Sequence, residues 1–298
     1  MKKAILYLLT LCLCLVVCCG AAFGESAPAE KTGEELYHAG EDASKAGDYE
    51  KALAYYLEAA EKGEAEAVAS IGAMYYYGTG VEQDFGKALE YWQKAAGMGS
   101  GRAYYGIGYL YGAGQGVEQS YEKAMEYYRL SADHGYALAY CAIGNMYFYG
   151  SGVEQSYSEA LKNYQLAADQ NIPDALFSLG SMYGNGYGTE QSDSKALECF
   201  MKAAELNHAP SLTYIGYLYA EGQGVEQSYE KALECFEKAA EQGYADAFDC
   251  LGDMYRAGAG VEQNYEKAAE YYRIAAEKGD PEAAESLKTM IEEGLISE

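Results

Sequence analysis

Gly116-Val117-Glu118-Gln119-Ser120-Tyr121-Glu122-Lys123-Ala124 is the stretch that decides the fold. Nearly the same nine residues begin again at Gly80, Gly152, Gly188, Gly224 and Gly260, each start 36 residues after the last. A period of this length without insertion or deletion marks a solenoid, in which each repeat is one supersecondary unit that buries its apolar face on its neighbours. The expectation is an all-α chain of antiparallel helical hairpins with an extended binding surface.

Around the quoted stretch, each repeat reads as two helices. Ile71, Ile107, Ile143, Leu179, Ile215 and Leu251 share one position of the first helix, and a glycine follows each of them, Gly72 through Gly252. Glycine inside a helix costs about 1 kcal/mol against alanine, so six in register predict close approach of a partner helix. Tyrosine follows three residues later, at Tyr75 and its equivalents, on the isoleucine's face of the helix. A glycine-rich loop then ends the helix, as in Gly78-Thr79-Gly80. Asp84, Ser120, Ser156, Ser192, Ser228 and Asn264 are all strong N-cap types and open the second helix. That helix carries one large ring per repeat (Trp92, Tyr128, Tyr164, Phe200, Phe236, Tyr272), followed by small residues that let helices come close.

The pattern Ala-x-x-x-Ile-Gly-x-x-Tyr, then Gly-x-Gly-Val, Tyr-x-Lys-Ala and Tyr-Tyr-x-x-Ala-Ala-x-x-Gly resembles the Sel-one-like repeat of the tetratricopeptide-like superfamily. Six copies, 64–99, 100–135, 136–171, 172–207, 208–243 and 244–279, follow a shorter tetratricopeptide-like hairpin at 33–63, and a capping helix and tail take up 280–298. The resemblance implies a right-handed superhelix acting as an adaptor or scaffold for other proteins, in bacteria often exported. The fourth copy departs from the pattern, with Thr189 for valine and Asp193 for the opening ring, so the weakest joint is expected there.

Met1 to Gly24 has Lys2 and Lys3 before an apolar run and ends in Ala22-Phe23-Gly24, the form of a secretory signal peptide. Residues 25–32 read as a disordered lead-in. Val17 before Cys18, and Cys18 before Cys19, fit a lipidation site less well than plain secretion to the periplasm, cell surface or medium. Cleavage would take the net charge from -25 to about -27 and leave Cys141, Cys199, Cys235 and Cys250. No later apolar run is long enough to span a bilayer, and the acidity excludes nucleic acid as a partner.

Catalytic readings find little. His38, His134 and His208 are far apart in the repeat order, no Cys, His and acid set has metal-ligand spacing, and the repeated serines are explained as caps. No cofactor or metal is implied. Some exported cysteine-rich relatives are described as penicillin-binding or penicillin-hydrolysing, but they carry paired cysteines in successive repeats, which this chain lacks. Glu82, Glu118, Glu154, Glu190, Glu226 and Glu262 read as loop pins, or as an acidic ladder. Cys235 and Cys250 lie eight residues before and seven after the turn at Gly243, at matching depth; an oxidising compartment would allow a disulfide, and burial as small hydrophobes is the alternative.

The expected partner is a protein or peptide held on the concave face. In the related superfamily the first helices line that face. Two rows there vary between repeats: Ala73, Tyr109, Asn145, Ser181, Tyr217 and Asp253, and Ala69, Tyr105, Cys141, Phe177, Thr213 and Asp249. Tyr105, Tyr109, Asn145, Phe177 and Tyr217 are the candidate contact residues, since rings give large contact area at low entropy cost. The alternatives are ordinary drift at tolerant positions, an envelope component whose acidic shell binds cations or basic wall polymers, and a host-facing secreted protein.

Overall fold

The computed structural model describes residues 31–297, so the expected signal peptide, with Cys18 and Cys19, lies outside the described residues. So does most of the expected lead-in, but Thr32 belongs to the fold. Its hydroxyl accepts from the Glu35 amide while Glu35 reaches back to the Thr32 amide, a capping box that starts the first helix.

Among the described residues there are fifteen helices and no strand. Hairpin one is α1 (Gly33–Lys45) and α2 (Tyr49–Glu61). The next three are α3 (Ala65–Tyr77) with α4 (Phe85–Gly97), α5 (Gly101–Ala113) with α6 (Tyr121–Asp133), and α7 (Leu138–Tyr149) with α8 (Tyr157–Ala168). Then come α9 (Pro173–Asn185) with α10 (Asp193–Glu205), α11 (Ala209–Glu221) with α12 (Tyr229–Glu241), and α13 (Ala245–Ala257) with α14 (Tyr265–Glu277). The last helix, α15 (Pro281–Glu292), is capped by Asp280 and buries Ala283 and Met290 against α14. Each helix packs on the next in sequence, as a solenoid requires.

The glycine row explains the packing within each hairpin. A Cβ built on Gly72 would stand 2.6 Å from the Trp92 ring, and one on Gly144, Gly180 or Gly252 would stand 2.5 to 2.7 Å from Tyr164, Phe200 or Tyr272. Such separations are overlaps, so the ring of the second helix lies flat against bare backbone of the first. The short hairpin repeats the device with Gly40 under Tyr56. Every expected N-cap side chain accepts from the backbone amide three residues on.

Two further locks join loop to helix. In five repeats the glutamine after the loop glutamate donates to a carbonyl of the first helix: Gln83 to Tyr76, Gln119 to Gly112, Gln155 to Phe148, Gln227 to Ala220 and Gln263 to Arg256, at 2.7 to 2.8 Å. The glutamines therefore pin the loops, while the six neighbouring glutamates are exposed and have no hydrogen bond, contrary to the expectation that they would do the pinning. The lysine of Tyr-x-Lys-Ala lies over the first-helix tyrosine, from Lys87 on Tyr75 at 5.0 Å to Lys267 on Tyr255 at 4.0 Å.

The fourth copy lacks several of these contacts. Gln191 makes no bond to a first-helix carbonyl, Asp193 supplies no ring where Tyr157 stacks on Tyr187 at 4.9 Å, and Thr189 places a hydroxyl where Val153 and Val225 pack into their cores. The hairpin's own core is intact, with Phe200 only 1% exposed. The weakness is confined to the loop. One lost hydrogen bond is worth about 1 kcal/mol, so the Ser192 amide, bonded to Tyr183 O, should exchange with solvent roughly fivefold faster than the Ser120, Ser156 and Ser228 amides in the equivalent bonds. Hydrogen exchange followed by NMR checks this; equal protection at the four sites contradicts it.

Candidate functional site

The first helices present a face on which most of the candidate residues come together. A cavity of about 590 Å³ is lined by Tyr105, Tyr109, Tyr128, Cys141, Asn145, Tyr149, Asp174 and Phe177, among others, from α5 to α9. A second, of about 240 Å³, adjoins it and shares Tyr105 and Tyr109, adding Tyr76, Tyr77, Arg102 and Tyr136. Together they make an aromatic groove across four hairpins, from α3 to α9. Tyr217 lies beyond it, two hairpins along from Asn145.

The two rows differ in their duties. Tyr109 and Tyr217 are 44% and 45% exposed, braced edge-on by Tyr76 and Phe236. Asn145 is also exposed, but its Oδ1 accepts the Tyr164 hydroxyl at 2.6 Å, and Asp253 accepts that of Tyr272 at 2.7 Å. Both acceptors therefore serve the core ring opposite, a role the sequence reading missed. The second row is not free of packing, as had been expected. Ala69 and Thr213 are buried, Tyr105 packs between Tyr128 and Tyr136, and Phe177 packs against Phe200, His208 and Tyr214. Burial pushes the Tyr105 hydroxyl up to about 12 and the Cys141 thiol to about 12, so neither ionises near neutral pH.

The Cys235–Cys250 disulfide that matching depth suggested is not formed, and all four cysteines among the described residues are free thiols. The two cysteines stand on neighbouring helices of successive hairpins, α12 and α13, but their thiols face different surroundings. Cys250 points to the preceding first helix, where its thiol donates to the Tyr217 hydroxyl at 2.9 Å, while Cys235 faces a cavity lined by Met201, Ala204 and Leu212.

One arrangement has the look of a hydrolase triad. His208 lies 2.8 Å from Ser211 Oγ and 3.4 Å from Asp174 Oδ1. Ser211 is 0% exposed in the first turn of α11, so no substrate can reach it, and the set is a helix-start contact between repeats. No group of three or more His, Cys, Asp or Glu side chains among the described residues is placed to hold a metal ion.

Electrostatics change along the same face. Asp249 in α13 is half-buried, and its Oδ1 is enclosed with no hydrogen-bond partner. Burial, then the nearby Asp253, Asp280 and Glu282, raises its carboxyl to about 7, opposed by Arg256.

With this geometry in place, comparison with known proteins decides the family. The Sel1 repeat family model matches residues 30–64, 65–100, 101–136, 137–172, 173–208, 209–244 and 251–280. The chain belongs to the Sel1 repeat family. Its first hairpin, short loop notwithstanding, is one of the seven matches, and the whole is the right-handed α-α superhelix of the tetratricopeptide-like superfamily. No curated protein matches the chain. Among solved structures it is 30% identical to a protective antigen of uropathogenic Escherichia coli strains with a Sel1-like repeat fold (TM-score 0.63, covering 87% of this chain and 56% of that one). It is 27% identical to a Sel1 repeat protein from Oxalobacter formigenes (TM-score 0.69, 80% of this chain and 96% of that one). An immunity protein from Pseudomonas aeruginosa, 21% identical over 72% of this chain and 81% of its own (TM-score 0.52), shares the fold. The chain thus spans little more than half the length of the Escherichia coli antigen.

Within this Sel1 repeat chain Asp249 gives a test of the face's electrostatics. Its folded value lies above its unfolded one, so the uncharged form is favoured in the native state; the contribution is fully present below about pH 4 and lost as pH rises through about 7. Asp249→Asn should therefore raise the melting temperature relative to the parent at pH 8, with the gain shrinking towards pH 5. Melting curves across that range check it.

Proposed function

We propose that this Sel1 repeat chain is an exported, non-catalytic adaptor that holds a protein or peptide along the face of its first helices. The Sel1 repeat scaffold commonly mediates protein interactions, which sets the class. The observation that carries the specific reading is the continuous aromatic groove formed by the two adjoining cavities, with exposed Tyr77, Tyr109 and Tyr149 on its walls. Tyrosines of this kind offer large, rigid contact area and a polar tip, as recognition surfaces do. Export rests on the form of Met1 to Gly24, and likeness to an antigen agrees with it. The absence of a reachable nucleophile at Ser211 supports the non-catalytic part.

The alternative envelope role draws on the six exposed loop glutamates and predicts binding that salt abolishes. Affinity capture with the native organism's own proteins separates the two. The parent should retain a partner whose recovery depends only weakly on ionic strength, and Tyr109→Ser with Tyr217→Ser should reduce recovery several-fold while the melting temperature moves little. Tyr105→Ala and Phe177→Ala should cost about 1 to 3 kcal/mol of stability as well, because those rings are packed. Retention of every partner by the double serine variant would refute the groove as the binding face.

A further inference from the structure

Tyr128 stands apart from the other rings at its repeat position. Trp92 donates its indole N–H to Ala69 O at 3.0 Å, and Tyr164 and Tyr272 donate their hydroxyls to Asn145 and Asp253. Phe200 and Phe236 have no polar atom to satisfy. The Tyr128 ring is only 7% exposed, and its hydroxyl, which has no hydrogen-bond partner among the described residues, opens on the 590 Å³ cavity. The hydroxyl is not among the enclosed unpartnered polar atoms of the described residues, so it faces the open cavity and is available to a donor that enters there.

The cavity exists because of two small residues. At the end of α5 stand Gly112 and Ala113, where the neighbouring first helices carry Tyr76 with Tyr77 and Phe148 with Tyr149. A Cβ on Gly112 would meet only the Ala124 methyl at 3.6 Å and the Tyr128 hydroxyl oxygen at 3.8 Å, so the missing side chains open space beside that hydroxyl. The volume falls in the range of ligand-binding clefts.

Its lining selects a cation. Tyr105, Tyr109, Tyr149 and Phe177 supply rings, Asn145 a carbonyl oxygen and Asp174 a carboxylate; no lysine, arginine or histidine lines it. A hydrogen bond from His208 holds the Asp174 carboxyl below its usual range, so it is charged at neutral pH. The whole chain carries -25, which draws basic segments towards it.

We propose that this cavity receives an arginine side chain from the partner. The inference rests on the first-helix face being the binding face. A guanidinium lays its flat surface on tyrosine rings and carries five N–H donors, enough to reach the Tyr128 oxygen, the Asn145 oxygen and Asp174 together. A lysine brings one compact charge and no flat face. An apolar side chain would fill the rings and leave the Tyr128 hydroxyl as unmatched as before.

The test is an NMR-detected titration of the chain from residue 25 onwards with Ser/Gly nonapeptides that carry one central arginine, lysine, glutamine, leucine or phenylalanine. The arginine peptide should bind roughly tenfold more tightly than the glutamine and leucine peptides, with shifts at Tyr105, Tyr109 and Tyr128. Tyr128→Phe, which removes only the hydroxyl, should weaken it several-fold. Ala113→Tyr places at that site the residue that the neighbouring helices already carry there; it should abolish binding with circular dichroism unchanged. Tighter binding of the leucine or phenylalanine peptide, no arginine binding up to about 10 mM, or unaltered binding to folded Ala113→Tyr would each overturn the proposal. Loss of a captured partner in the Tyr109→Ser and Tyr217→Ser double variant alongside such a result would leave the groove as the binding face and remove only its arginine.

Discussion

Every hairpin closes where a ring on its second helix lies against a glycine of its first. With the missing Cβ, helix backbones approach closely enough for a tryptophan, tyrosine or phenylalanine to lie flat across the contact. The cost of each helical glycine, about 1 kcal/mol, is repaid by the apolar area one buried ring removes from water, worth about 1.5 to 3 kcal/mol. Other contacts take their place from this one. The ring's polar tip finds Ala69 O, Asn145 or Asp253 on the first helix, and so fixes which first-helix residues are committed to the core and which are free to vary.

That division shapes the groove. Where the ring is phenylalanine, no acceptor is needed opposite, and Ser181 or Tyr217 occupies the place. Where it is Tyr128, the residue opposite is Tyr109, which turns outward instead of accepting. Gly112 and Ala113 then withhold the side chains that would cover the gap. The variation along the first-helix face is thus partly a record of core pairing and partly a surface without internal duty, and only the second part is available to a partner.

Much of this was legible in the sequence. The 36-residue period, the glycine row, the ring row and the N-caps act within one hairpin, and repetition shows them six times over, so helix ends and pairing followed from local chemistry. The roles of Gln83 and its equivalents were missed because a glutamine beside a glutamate gives no sign of which one turns inward. The lysines over Tyr75 and its equivalents were hidden for a related reason, since their contact crosses a loop. Cys235 and Cys250 show the same limit. Spacing gave an expected depth along the helices but not what each thiol faces, and their surroundings differ. Four of the five candidate contact residues do line one cavity, but Asn145 also has a partner inside the hairpin that no row of single positions could disclose.

The account depends most directly on the glycine under the ring, and a pair of alanine substitutions measures it. Gly97 is helical with nothing within 4 Å of a built Cβ, so Gly97→Ala should stabilise the protein by up to about 1 kcal/mol through helix propensity alone. Gly180→Ala drives a methyl into the Phe200 ring and should destabilise by about 1 to 3 kcal/mol in denaturant titration, with part of the loss recovered by Phe200→Leu in the same chain. If Gly180→Ala instead stabilises as Gly97→Ala does, the ring does not rest on that backbone and the packing described for every hairpin is wrong.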